Sequence, residues 1–217
     1  MRLKAEEELL LFNGVDGEFR GKIVAATKHE VGVRIVKKTK EQYNCQTFAL
    51  LYAPVKNAKN EFIVQKATEM GVSEIHPVIT KHTIKDKVKV ERLNLVAIEA
   101  AEQCERLDLP EIFEIAELES ALKKYSDYKI ILCDETGKGD SAAEVLSKLK
   151  KKDKYAVLIG PEGGFSDLEI SLLHSKKNVY PIGLGPRILR AETAIITALA
   201  LVQNYLGDFE RSPDFRG

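Results

Sequence analysis

From Thr47 onward the chain alternates between two hydrophobic periods, and this alternation restricts the fold more than any other feature. Residues 47–51 are an apolar β-rich run, and residues 60–70 carry Phe62, Ile63, Ala67 and Met70 at helical spacing, closed by Gly71. Residues 75–80 read as the next strand. Residues 90–104 read as a helix with Leu93, Val96, Ala97, Ala100 and Cys104 on one face, and Pro110 precedes a short strand at 112–115. The pattern continues with a helix at 118–125, a strand at 129–133, a helix at 142–150, a strand at 155–159, a helix at 167–175, a strand at 179–182 and a helix at 192–206. Repeated alternation of this kind predicts an α/β fold, a mostly parallel sheet with helices on both faces. The last helix is apolar nearly all round and needs cover on a second side, for which another copy of the chain is the expected partner.

Up to about residue 45 the signals are those of strands. Residues 8–12 form a short β-rich run, Asn13-Gly14 and Asp16-Gly17 are turn dipeptides, and Val31, Val33 and Ile35 alternate with Gly32, Arg34 and Val36. A chain of 217 residues is long for one domain and short for two large ones. The expected division is a small β domain over 1–45 and a larger α/β domain over 46–217. So short a β domain has a thin core and is expected to lean on the rest of the chain.

The 33 Lys and Arg are balanced by 33 Asp and Glu, which excludes a basic protein that coats polyanions, and a content of 44% hydrophobic and 30% charged residues excludes a disordered chain. Cys45, Cys104 and Cys133 are widely separated and form no CxxC, so neither a disulfide framework nor a metal site is expected. The longest apolar stretch, 194–202, is interrupted by Thr197 and is about half of what a membrane-spanning helix needs. The apolar run 9–12 stands behind Glu6, Glu7 and Glu8 and makes no signal-peptide core. A reduced, cytoplasmic protein without membrane attachment is expected.

Three segments carry chemistry. In the first, a β-rich run at 155–159 empties into Gly160, Pro161, Glu162, Gly163 and Gly164, after which Ser166 and Glu169 form the pattern of a capping box. In open α/β sheets ligands bind beyond the carboxyl ends of strands, where this loop must lie, and glycines there let backbone approach a ligand. The loop fits neither GxGxxG nor a P-loop. Pro161 removes an amide donor and Glu162 adds negative charge where a phosphate would sit, so a neutral or cationic ligand suits it better. A tight structural turn is the alternative.

The second segment, Pro181-Ile-Gly-Leu-Gly-Pro-Arg-Ile-Leu-Arg-Ala-Glu-Thr-Ala194, repeats strand end, glycine loop and helix start. Its Arg187, Arg190 and Glu192 can bind phosphate or stabilise negative charge developing on a base; a local ion pair of Arg190 with Glu192 explains them equally well. The third segment places Glu99, Gln103 and Arg106 along one polar helix edge, which an i, i+4 surface network also explains.

Together these segments resemble one family. Gln65-Lys-Ala-Thr-Glu-Met-Gly-Val72, Glu99-Ala-Ala-Glu-Gln-Cys-Glu-Arg106, Ile159-Gly-Pro-Glu-Gly-Gly-Phe-Ser166 and Leu184-Gly-Pro-Arg-Ile-Leu-Arg-Ala-Glu-Thr-Ala194 are similar to the motifs of the RsmE family, the SPOUT-superfamily 16S rRNA uridine-N3 methyltransferases. The resemblance runs from about residue 2 to residue 206. It implies an S-adenosylmethionine-dependent homodimeric enzyme acting on 16S rRNA or the small ribosomal subunit, with a SPOUT-type trefoil knot in its C-terminal part and a PUA-like β domain at 1–45 that docks RNA. Family members usually carry a further stretch before the position of Arg2-Leu-Lys4, so either the chain starts late or its β domain is trimmed. At Lys81-His82-Thr83 the family more often shows Arg-Ser.

By the same resemblance, Gly160, Pro161, Glu162, Gly163, Ile182, Leu184, Gly185, Ile188, Leu189 and Ala194 form the cofactor pocket. The reaction implied is attack of uridine N3 on the sulfonium methyl, aided by a base and by a cation near a uracil carbonyl. Arg190 is expected as the cation and Glu192 as the base, with Arg106 as rival cation and Gln103 orienting the base. The basic stretch Lys81, His82, Lys85, Lys87, Lys89 and Arg92 offers a phosphate stripe on an otherwise neutral chain. A non-catalytic RNA-binding or ribosome-assembly protein on the same fold is the alternative. A phosphate-binding nucleotide enzyme is a third reading, weakened by Pro161.

Overall fold

The computed structural model describes residues 4–43, 45–55, 57–84 and 87–212. Lys85 of the basic stretch and the first two residues of Arg2-Leu-Lys4 lie outside them. The N-terminal part is an antiparallel meander of β1 (Glu8–Phe12), β2 (Glu18–Ala26) and β3 (Val31–Lys40). β2 was hidden in the sequence because its polar residues interrupt the apolar alternation. Ile23 is fully buried, but Val24, Val31, Ile35 and Val36 are exposed, which is the thin core expected of so short a unit.

The larger part contains β4 (Phe48–Tyr52), α1 (Asn57–Glu69), β5 (Glu74–Ile79), α2 (Val90–Cys104), β6 (Glu111–Ile112), β7 (Ala116–Glu117), α3 (Leu118–Lys124), β8 (Lys129–Cys133), β9 (Asp140–Ser141), α4 (Ala142–Leu146), β10 (Tyr155–Ile159), α5 (Asp167–Ser175), β11 (Val179–Gly183) and α6 (Ala191–Leu206). Its strands lie in the order β6-β5-β4-β10-β8-β11-β9, with β7 also on β5, and every pair among the described residues is parallel. Alternation along each strand builds two cores. Leu50, Tyr52, Val157 and Ile159 face one layer with α1, α2, α4 and α6, while Ala49, Leu51, Ala156 and Leu158 face the other with α3 and α5. Each fully buried Leu or Ile contributes about 1.5–3 kcal/mol.

Two boundaries differ from the sequence reading. The strand expected at 112–115 is replaced by the short β6 and β7 on either side of residues 113–115; Phe113 still donates its amide to the Ile75 carbonyl at 2.9 Å, and its ring centroid lies 5.1 Å from that of His76. The helix expected at 142–150 ends at Leu146 and gives way to tight turns. Gly71 closes α1 with φ +76°, and Gln203 of α6 donates to the Met70 carbonyl at 2.6 Å, tying the last helix to the end of the first. α6 buries Ala191, Ile195, Ala198, Leu199, Val202 and Leu206, while Ala194, Leu201 and Tyr205 pack only partly covered against the same core. Among the described residues no helix is long and apolar enough to cross a membrane.

The turn after α2 seats the N-terminal sheet on the larger part. Glu105 caps α2 in the left-handed region at φ +59°, and Lys40 approaches it at 3.9 Å. Cys45 donates its amide to Asp108 Oδ2 at 3.0 Å.

Candidate active site

Because the sheet is parallel, the ends of β4, β5, β8, β10 and β11 share one edge, and the loops leaving them converge there. The loop after β10 carries Gly160 and Pro161 buried, with Glu162 and Gly163 exposed. Ser166 caps α5 by accepting from the Glu169 amide, and the Glu169 carboxylate accepts in return from Ser166 N at 2.8 Å, so the capping box read from sequence is present. The loop after β4 closes on this one through Ala53 N–H to the Ile159 carbonyl at 3.1 Å. Its own turn is pinned by Asn60, which bonds both the amide and the carbonyl of Val55 at 3.0 and 2.8 Å.

The glycines serve packing more than the sequence reading assigned them. A Cβ on Gly160 would stand 2.8 Å from the Phe165 ring, one on Gly164 (φ +69°) 2.7 Å from Glu135 Oε1, and one on Gly163 3.2 Å from His82 Cβ. Glu135 accepts the Phe165 amide at 2.9 Å, so the loop after β8 braces the loop after β10. Gly185 is different: its φ is +98° and nothing of the protein lies within 4 Å of a Cβ built there.

The loop after β11 is the open side of the site. Ile182 is fully buried, Leu184, Leu189 and Ala194 are half-buried, Gly185 is exposed, and Ile188 projects fully into solvent. Among the described residues, the backbone of 184–189 makes no hydrogen bond. Free backbone donors and acceptors beside an uncovered aliphatic side chain fit a ligand with a flat apolar ring and a polar edge, as adenosine has. The Glu162 carboxylate at the same edge suits a cationic group. The ten expected pocket residues therefore lie on three segments at one end of the sheet.

Arg187 and Arg190 are exposed and have no ion pair among the described residues. Glu192, the expected base, pairs with Lys59 of α1 at 3.1 Å, a contact the sequence reading missed in favour of Arg190. Burial raises the Glu192 carboxyl, but its own backbone amide, Lys59 and Arg190 lower it, and the balance falls below the ordinary carboxylate range.

Arg106 and Gln103 lie elsewhere. α2 runs back from the carboxyl edge, so its last turn sits at the amino end of the sheet, opposite the glycine loops. Arg106 is buried, with Nε 2.8 Å from Asp108 Oδ1 and Nη1 donating to the Thr68 carbonyl at 2.9 Å. The expected rival cation therefore spends Nε, Nη1 and Nη2 on Asp108 and Thr68 within this chain, at the opposite end of the sheet from Arg190. Gln103, the expected orienter of the base, is exposed on the same turn.

His82 was not among the expected site residues. It lies on the loop after β5, with Nδ1 3.1 Å from the Gly163 carbonyl and 3.0 Å from that of Gly164. No local pattern reveals His82 or Lys59 as site neighbours, because their partners are 81 and 133 residues away.

This fold and edge geometry define an α/β RNA-methyltransferase domain behind a small β domain. Residues 42–203 match the RNA methyltransferase domain family and residues 1–36 the RNA methyltransferase PUA domain family. The chain is 38% identical to the ribosomal RNA small subunit methyltransferase E of Rickettsia conorii, over 94% of this chain and 83% of that one. Two solved structures superpose with a TM-score of 0.83: a Legionella pneumophila protein described as a methyltransferase in complex with bound SAM (33% identity, 95% of this chain and 86% of that one), and a Neisseria gonorrhoeae ribosomal RNA small subunit methyltransferase E bound to S-adenosyl methionine (25%, 95% and 87%). The chain belongs to the ribosomal RNA small subunit methyltransferase E family.

Proposed function

We propose that this protein transfers a methyl group from S-adenosylmethionine to N3 of a uridine in 16S rRNA of the small ribosomal subunit. The observation that carries the reading is the loop 184–189, whose backbone makes no hydrogen bond among the described residues beside the exposed Ile188, at the same edge of the sheet as the glycine loop after β10. Gly160, Pro161, Glu162, Gly163, Ile182, Leu184, Gly185, Ile188, Leu189 and Ala194 hold the cofactor, which when bound supplies a sulfonium methyl for in-line displacement. Arg190 stabilises the negative charge that N3 deprotonation places on a uracil carbonyl. Glu192 accepts the proton. Lys59, in place of Gln103, orients its carboxylate and keeps it ionised, at a cost in basicity.

The same reading includes a trefoil knot where α6 returns from β11 across β10, a boundary near residue 45 between an RNA-docking domain and the catalytic domain, and a cytoplasmic homodimer. The half-covered Leu201 and Tyr205 of α6 support the dimer.

Calorimetry with S-adenosylmethionine tests the pocket. One site per chain is expected, and Ile188→Asp should weaken binding without lowering the melting temperature, because that side chain touches little of the protein. Unchanged affinity in the variant would remove Ile188 and its loop from the pocket.

A further inference from the structure

The loop after β5 is latched to the loop after β10 at two adjacent residues. Lys81 N–H donates to Glu169 Oε1 at 2.8 Å, and His82 Nδ1 lies within hydrogen-bond distance of both the Gly163 and the Gly164 carbonyls. Both partners of Nδ1 are carbonyl oxygens, which only accept, so Nδ1 carries the proton and the ring donates to a fork of two acceptors. Gly163 is the residue that lets the ring approach, since a Cβ there would crowd His82 Cβ at 3.2 Å. Glu169 uses its other oxygen in the α5 capping box, so one carboxylate holds the helix start and the neighbouring loop together.

The latched loop leads directly into basic surface. Lys81, Lys87, Lys89 and Arg92 are all exposed, and Lys87 and Lys89 have no ion pair among the described residues. A loop that presents lysines to solvent offers charge for phosphate contact, and the loop it grips belongs to the proposed cofactor pocket.

We infer that His82 is a positioning residue that couples the two ligands: by holding the Gly163 and Gly164 carbonyls it fixes the cofactor loop relative to the basic loop, so that RNA bound on one favours S-adenosylmethionine bound on the other. The inference rests on the function proposed above. It gives His82 no contact with the reacting atoms.

The chemistry of the latch selects the test. Asparagine can place its Nδ2 donor where Nδ1 stands, whereas glutamine carries its donor one bond further, nearer the place of Nε2. The affinity of the full-length protein for S-adenosylhomocysteine is measured with and without a saturating small-subunit rRNA fragment, and the fragment's affinity with and without S-adenosylhomocysteine. In the wild type each ligand should tighten the other by the same factor, on the order of fivefold to tenfold. His82→Ala and His82→Gln should bring that factor close to one, with each ligand alone losing no more than about that same factor, the range of one net hydrogen bond. His82→Asn should recover most of the coupling. A wild type without coupling overturns the inference, as does full coupling in His82→Ala or equal behaviour of the Asn and Gln variants. A wild type that binds no S-adenosylhomocysteine at all would take the functional reading with it, so the two failures are distinguishable.

Discussion

Arg106 and Asp108 meet in a two-point ion pair beneath the N-terminal sheet, Nε to Oδ1 at 2.8 Å and Nη2 to Oδ2 at 3.2 Å. Asp108 also receives the Cys45 amide, and Arg106 also bonds the end of α1, so this pair joins the linker, the turn after α2 and the first helix. It lies at the opposite end of the sheet from the candidate active site. Its consequences should be read in stability and domain docking rather than in turnover.

Asp108→Asn keeps the shape but turns one acceptor into a donor facing Arg106 or the Cys45 amide. Leaving a buried guanidinium poorly paired costs about 3–5 kcal/mol, which denaturant unfolding would register, and proteolysis near residues 41–46 should accelerate. Burial raises the Asp108 carboxyl, but Arg106 and Cys45 lower it further, so its folded value lies below the ordinary one. A depressed carboxyl contributes stability that is complete above its unfolded pKa and lost as pH falls through the folded value. That loss belongs below about pH 4 and should be absent in the variant.

His76 gives a separate acid limb. It is buried, its Nδ1 has no partner among the described residues, and burial with Lys124 nearby pushes its pKa down from 6.5 to about 4. The unfolded chain therefore binds a proton that the folded chain refuses, and stability should fall as pH drops from about 6.5 to about 4 and be complete above that window. His76→Phe should flatten this limb, measured as the difference in unfolding midpoint between pH 7 and pH 4.5. An unchanged difference would show that His76 does not control it.

At the active edge, Arg190→Ala should lower the methylation rate by on the order of a hundredfold to a thousandfold while cofactor affinity changes little, because the cation acts on charge that develops in the transition state. Lys59→Met tests the other member of the group. It frees Glu192 from its partner, so the acid limb of kcat should move to higher pH as the carboxyl rises toward its ordinary value. Proportional losses of activity, cofactor binding and melting temperature in Arg190→Ala would reassign it to anchoring the mouth of α6.

Replacing Leu201 by Glu should give monomers or aggregates in sedimentation, since a charge forced into an apolar interface costs several kcal/mol. A wild-type chain that sediments as a stable monomer at micromolar concentration would contradict the proposed dimer.

The elements legible in the sequence are those whose signal is local. α2, β8, β10 and α5 begin and end where apolar spacing placed them, and Ser166 with Glu169 announced the start of α5. β2 and the separation of β6 from β7 were not legible, because both depend on pairing with strands distant in the sequence. Around the candidate site, the two glycine loops could be placed at one edge of the sheet because strand end, loop and helix start are contiguous. Lys59 against Glu192, His82 against Gly163 and Arg106 against Asp108 were not, since register, topology and burial decide them, and the amphipathic spacing of Gln103 and Arg106 reveals a helix face but not the end of the sheet it occupies.

The central claim is tested most directly by incubating the protein with methyl-labelled S-adenosylmethionine and small-subunit rRNA, free and in assembled subunits, followed by digestion and nucleoside analysis. Label is expected in 3-methyluridine at a single position, lower by on the order of a hundredfold or more when Arg190→Ala replaces the wild type over the same interval. Cofactor binding without transfer to either substrate, or label in a nucleoside other than 3-methyluridine, would contradict it.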